Sequence, residues 1–424
     1  MGDDSRTLLL RSPRSVLFLG ILFATALAVF LPVRNNTFWH PGDYEYLTQA
    51  LRIHANWRAL FAAAPMNTFQ PIVNAVFYLE FRAFGAGATG YYLFNIGVHA
   101  INAWLVFALV YTLLRDRTIA VLSGLLFVFA VGNYGKAVMV VSGISDLLIT
   151  MLTLLTMLFY VRNELDERGR LRTANFMLCL IAFVFGLLSK ATSFSVLGCM
   201  LAFNLFYREQ TGRRLLDNNF LVIAVVALVV LLIKLIVLHA MPGASDLAVF
   251  SPSFPRNFAS YLVRMVFPIQ SSTLLVHAAS PVRFIYGFAS QIRILIFLCI
   301  LSYSVFGFVF GNKVLRFFIA WTYITVTPFC FFKFPADWLN IRYLYLVSVG
   351  FTMIMASGTV LAARLLYQRP WRRNLPYVIP IAFAVLSQFV VHQLDANYER
   401  LSSSPRLTTA RAEFVRLYRE YRSE

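Results

Sequence analysis

The sequence predicts an all-α polytopic membrane protein, a bundle of about eleven transmembrane helices with surface helices in its first outer loop. Three observations carry that reading. Of the 424 residues, 59% are hydrophobic and 13% charged, against about 45–50% and about 25% in soluble domains. Apolar runs recur at close to the roughly 20 residues that a helix needs to cross hydrocarbon, and the mean hydropathy is +0.70. The short alternating segments that build a membrane β-barrel do not occur.

The first run, SVLFLGILFATALAVFLPV at 15–33, follows Arg6, Arg11 and Arg14. It exceeds the roughly 7–15 apolar residues of a signal peptide, so it reads as an uncut anchor with a cytoplasmic N-terminus. Further spans are expected at 91–114, 118–133, 143–161, 174–189, 192–207, 219–239, 289–310, 314–332, 342–364 and 375–393. That series puts the C-terminus outside. The expected cytoplasmic segments are short and hold 18 of the 37 Lys and Arg, as the positive-inside rule requires. The net charge of +18 is therefore a topology signal, and nucleic acid is not an expected partner.

Residues 1–393 read as one transmembrane domain with two long outer loops, 34–90 and 240–280, followed by a basic outer tail at 394–424. Within the first loop, 44–63 has the pattern of an amphipathic helix. So does PIVNAVFYLEFRAFG at 71–85, too short and too charged to span and suited to the interface. The tail carries six arginines on a pattern that fits either a surface helix or a solvated segment. Cys179, Cys199, Cys299 and Cys330 lie far apart in apolar runs, which suggests neither a metal site nor a disulfide framework. No Walker loop or dinucleotide fingerprint supports a nucleotide donor.

Chemistry concentrates at WHPGDYEYLTQAL, 39–51, where Asp43 and Glu45 stand in a chain with 19 acids in all. GDYEYL (42–47), FQPIVNAVFYLEFRAFG, YYLFNIGVHAINAWLVFAL, NYGKAVMVVSGISDLL (133–148), LLSKATSF (187–194), NFASYLVRMVFP (257–268) and RYLYLVSVGF (342–351) follow one another in order. This ordered set resembles the GT-C glycosyltransferases, membrane enzymes that use lipid-phosphate sugar donors. The likeness is to the O-mannosyltransferase-like members, without their tetratricopeptide repeats. It implies a GT-C-like bundle that moves a sugar from a polyprenyl- or dolichyl-phosphate to an acceptor on the outer face, with inversion. The expected setting is a bacterial inner (plasma) membrane. The lipid-linked sugar would be a co-substrate, and the acceptor and any divalent metal are left open.

For such a reaction a carboxylate must take the acceptor's proton. Spacing alone makes Asp43 equally a helix cap and a base; the resemblance implies the base. Fixed cations must meet the departing phosphate, and Lys190, Arg342 and Arg264 are the candidates, with Arg256 and Lys333 behind them. Glu45 and Glu80 are secondary candidates. His99, inside a span, reads as a satisfied packing histidine, and Lys234 as a snorkelling one. Departures from the family pattern at Gly42, Gln70, Lys136 and Ala191 support an alternative, a non-catalytic GT-C-like subunit of a membrane assembly. A lipid or solute transporter is a weaker alternative, because paired interrupted spans are not seen.

The orientation has a direct test. In a cysteine-free background, a cysteine at Arg168 should react with an impermeant thiol reagent only from the cytoplasmic side; labelling from outside reverses the topology.

Overall fold

The computed structural model describes residues 13–62, 68–129, 137–165, 172–212, 214–239, 253–266, 289–331, 341–365 and 405–423, with isolated positions between 378 and 385. Among these, no strand occurs. The helices are α1 (Pro13–Phe30), α2 (Pro41–Ala55), α3 (Pro71–Phe84), α4 (Ala88–Leu114), α5 (Arg117–Phe129), α6 (Ile144–Leu165) and α7 (Arg172–Ser189). They continue as α8 (Ser195–Thr211), α9 (Asn218–His239), α10 (Phe254–Val266), α11 (Ala289–Phe310), α12 (Lys313–Cys330), α13 (Leu344–Leu365) and α14 (Pro405–Ser423). Ten of the eleven expected spans fall on helices, and the eleventh, 375–393, lies outside the described residues. Among the described residues, seven helices are long and apolar enough to cross a membrane. The protein is a multi-pass integral membrane protein.

Burial sorts these helices into centre and periphery. The most apolar stretch of α6 is 83% buried and that of α4 is 72%, whereas only 6% of that of α11 is. Lipid solvates Leu295, Leu298 and Phe306 on α11 as well as protein would, so their exposure costs nothing there. The centre is held by polar contacts, for which hydrocarbon offers no competing partner. On α4, Asn95 donates to the carbonyls of Val140 and Val141 at 3.1 and 3.3 Å, and Asn102 donates to that of Leu147 at 3.0 Å. His99 Nδ1 lies 2.7 Å from the hydroxyl of Tyr345 on α13, to which Asn102 also donates. These three α4 residues follow helical spacing, so one face of α4 grips the start of α6 and the start of α13. His99 is thus the satisfied packing residue expected from sequence.

The first loop folds as two helices, α2 and α3, joined through a 3-10 turn at Trp57–Phe61. Helix α3 is not continuous with α4. It stops at Gly85, whose φ of +59° is a conformation that a residue with a Cβ adopts only with strain. The start of α3 is tied down from an unexpected quarter: Lys234 of α9 is 5% exposed and donates to the Phe69 carbonyl at 3.0 Å. That corrects the snorkelling expected for Lys234, since the loop backbone supplies inside the protein the acceptor that head groups were expected to supply.

The tail is a docked helix. Leu407 and Phe414 of α14 are buried. Phe414 packs on Tyr44 of α2 with ring centroids 5.8 Å apart, and Tyr421 meets His54 at 5.0 Å and Phe81 at 5.8 Å. Arg52 and Glu413 pair at 2.7 Å on the rim. At its far end α13 lies on the opposite face, where Arg364 pairs at 2.5 Å with Asp116 in the α4–α5 turn.

Phe414→Ala should loosen α14, at the lower end of the about 3–5 kcal/mol typical of buried Phe→Ala. Arg52→Ala should cost within about 1 kcal/mol, because the pair is exposed. Tryptic cleavage within 405–423 should accelerate in the first variant and not in the second; equal protection in both would contradict the docking.

Candidate functional site

The site is built where α2 meets the start of α6. His40 caps α2: its Nδ1 accepts from the amide of Gly42 at 3.1 Å, and the carboxylate of Asp43 reaches back to the amides of His40 and Trp39 at 3.0 and 3.3 Å. This reciprocal arrangement is a capping box, with Asp43 three residues inside the helix and not at the cap itself. Its other oxygen accepts from the amide of Ser142 at 2.7 Å, which joins the first loop to the turn before α6. Trp39 seals the junction by donating its indole N–H to the Met139 carbonyl at 3.1 Å. Gly143 allows the turn to close, because a Cβ there would sit 2.0 Å from the Ala137 carbonyl oxygen.

Asp43 is fully buried. Burial lifts its pKa to about 6, against the pull of the Ser142, His40 and Trp39 bonds, which favour the charged form. One turn further along α2, Tyr46 accepts a 2.5 Å bond from Gln70 and stacks on Phe77 at 5.0 Å. Its burial raises the phenol pKa, which keeps it neutral, with Ser145 close enough to hydrogen-bond it and the charges of Arg342 and Asp146 felt at its hydroxyl.

Asp146, in the first turn of α6, is the centre of the charged cluster. It pairs with Lys190, which caps the 3-10 turn between α7 and α8, and with Arg342, at 3.3 Å, in the turn before α13. Both cations flank the ring of Tyr343, at 5.3 and 5.7 Å from its centroid. Burial pulls the Arg342 guanidinium toward its neutral form. The attraction of Asp146, with that of Tyr343 and Tyr46, outweighs this and holds its pKa above the usual arginine value. Lys190 keeps a side-chain exposure of 20% against 5% for Asp146, so the cluster is open from the lysine side.

Lys190 and Arg342, expected from sequence, thus meet on one carboxylate. Asp43 is joined to the turn just before Asp146 by the bond it accepts from the Ser142 amide. Arg264 is half-buried on α10, whose Tyr261, Leu262 and Met265 pack with Phe329, Leu344 and Val347; its charge is felt at Tyr261, beside Tyr343. Arg256 is exposed on the same helix, and Lys333 lies outside the described residues. Glu45 is half-buried on the other side of α2 from Asp43. Glu80 is buried with no hydrogen-bond partner among the described residues, and desolvation raises its pKa well above the carboxylate range. It shares no bond with the Asp146 cluster. Among the described residues, His, Cys, Asp and Glu do not gather in threes that could hold a metal ion.

Sequence reasoning missed Asp146, Tyr46 and Ser142. Asp146 carried a readable signal, an acid a few residues inside an expected span, where a charge is costly and tends to be functional.

The helical bundle with its first-loop helices defines a class by fold alone: it is a GT-C-like fold, on the structural likenesses that follow. No family model matches the sequence. Particular relatives are found at two ranges. Over 130 residues, 31% of this chain, it is 32% identical to the protein O-mannosyl-transferase Tmtc1 of Drosophila melanogaster, and the match spans 15% of that protein. Among solved structures, it is similar to ArnT from Cupriavidus metallidurans bound to undecaprenyl phosphate, with a TM-score of 0.50 and 13% identity over 95% of this chain and 75% of that one. The apo form of ArnT gives 0.53 over the same shares. The oligosaccharyltransferase AglB from Archaeoglobus fulgidus, in complex with an inhibitory peptide and a dolichol-phosphate, gives 0.53 at 14% identity, over 92% of this chain and 56% of that one.

The α4 grip predicts a measurable cost. Tyr345→Phe keeps the ring and deletes the hydroxyl that His99 and Asn102 share, so it should destabilise the fold by about 1–3 kcal/mol. A melting temperature in detergent equal to that of the wild type would show that the hydroxyl does not hold α13.

Proposed function

We propose that the protein is an inverting glycosyltransferase that takes its sugar from a lipid-phosphate donor, polyprenyl or dolichyl, at the outer face of the membrane. The observation that carries this reading is the meeting of Lys190 and Arg342, far apart in sequence, on the face that also holds Asp43. A departing phosphate needs fixed cations of this kind, which stabilise charge as it develops. The GT-C fold and the lipid phosphates bound by ArnT and AglB support the donor class. The charge census supports placing this face outside.

In this reading Asp43 takes the proton from the acceptor hydroxyl as that oxygen bonds to the sugar's anomeric carbon. The bond from that carbon to the phosphate oxygen breaks, and its electron pair leaves with the lipid phosphate between Lys190 and Arg342. A single displacement inverts the anomeric centre. A pKa of about 6 leaves Asp43 ionised at neutral pH yet basic enough to accept the proton, the compromise that general-base catalysis favours. Asp43 is fully buried in the resting structure, so the base acts once the contact between α2 and the turn before α6 opens to admit the acceptor.

That enclosure is also the observation that favours the second reading, a GT-C-fold membrane subunit in which Asp43 only caps α2. Transfer of labelled sugar from lipid-phosphate donors by the purified protein separates the two. In the transferase, Asp43→Asn should lower turnover about 10²–10⁴-fold while the protein still folds. Because the base must be unprotonated, the wild-type rate should fall as pH drops through about 6. Arg342→Ala should weaken donor binding as well as turnover. Near-normal turnover in Asp43→Asn removes Asp43 from the chemistry, and a wild type inactive with every donor leaves the subunit reading.

A further inference from the structure

We infer that Asp146 sets the charge capacity of the donor-phosphate site, matching it to a head group with one phosphate in preference to two. The inference rests on the donor reading proposed above. Lys190 and Arg342 bring two positive charges, and Asp146 pairs with both. These three paired side chains together carry one net positive charge. The Tyr343 ring lies against both cations, and the Asp43 carboxylate is bonded by the amides of Trp39, His40 and Ser142, apart from this pairing.

The main chain that carries Asp146 is held in place. Its backbone carbonyl accepts from Thr150 at 2.9 Å, and the next carbonyl, that of Leu147, is held by Asn102 of α4 at 3.0 Å. Its side chain is 5% exposed, so solvent screens it little. The carboxylate therefore counts against both cations at once.

A sugar linked through one phosphate is a diester with a single negative charge, which the residual positive charge balances. A sugar linked through two phosphates brings a second negative charge, which would face Asp146 uncompensated. The same rule bears on release. Once the sugar has left, the lipid monoester carries about −1.5 to −2 at neutral pH, more than the site neutralises.

The test is equilibrium binding of undecaprenyl phosphate and undecaprenyl diphosphate to the full chain in nanodiscs. The wild type should bind the monophosphate more tightly. Asp146→Asn frees a second positive charge and should shift the ratio of the two affinities toward the diphosphate by about tenfold or more, a difference of about 1.4 kcal/mol. Because that variant strands two cations in a buried place, the double variant Lys190→Gln with Asp146→Asn, which restores the net charge, is measured beside it. It should return the ratio to within about threefold of wild type, about 0.7 kcal/mol by the same relation. An unmoved ratio in Asp146→Asn, or a double variant that folds yet loses the monophosphate preference, overturns the inference and leaves the donor reading standing. Failure of the wild type to bind either lipid removes both.

Discussion

Everything on the Asp43 face depends on one carboxylate shared between two cations. Asp146 joins the start of α6 to the α7–α8 turn through Lys190 and to the turn before α13 through Arg342. Three segments distant in sequence are thereby fixed to one another within a single cluster. Taking such charges out of water is expensive, and their mutual attraction repays the cost only when geometry and further hydrogen bonds are good. The fold supplies the geometry through α4, whose Asn95, His99 and Asn102 hold the backbone around Asp146 and the hydroxyl of Tyr345 beside Arg342. A hydrophobic cluster of the same volume would hold these segments as well. Charge at this place is therefore better explained by what it binds than by the stability it adds.

Asp43 shows how one residue serves structure and chemistry together. Its capping bonds fix the first turn of α2, and its bond from Ser142 fixes that helix to α6. The same enclosure strips water from the carboxylate and raises its pKa toward neutrality. Helix α14 adds a cover on the far side, where Phe414 packs against Tyr44, the next residue along α2. The burial that tunes the group also shields it, so any transfer reaction here has to open the contact between α2 and the turn before α6.

Much of the fold was legible in the sequence because its signals are local. Apolar run length located ten of the helices, and charge within the first loop set α2 and α3 apart from the spans. Position gave Lys190 and Arg342, each a costly charge at a helix end on one face. What escaped depends on contacts between distant segments. Lys234 looked like a residue reaching for head groups, yet it turns inward to the Phe69 carbonyl, and the loop that receives it is 165 residues away. Asp43 read equally as a cap or a base, and the structure gives it a capping box without deciding the second role. Asp146 lay in plain view inside an apolar run, but its meaning appears only when Lys190 and Arg342 arrive beside it.

The central claim is that this cluster receives a lipid phosphate. The most direct measurement is photo-crosslinking of the full chain in nanodiscs with a polyprenyl phosphate bearing a photoreactive group next to the phosphate, mapped by peptide mass spectrometry. The account predicts adducts at the α7–α8 turn and around Tyr343, competed away by unmodified polyprenyl phosphate. Adducts confined to the lipid-solvated face of α11, with no competition, would contradict it.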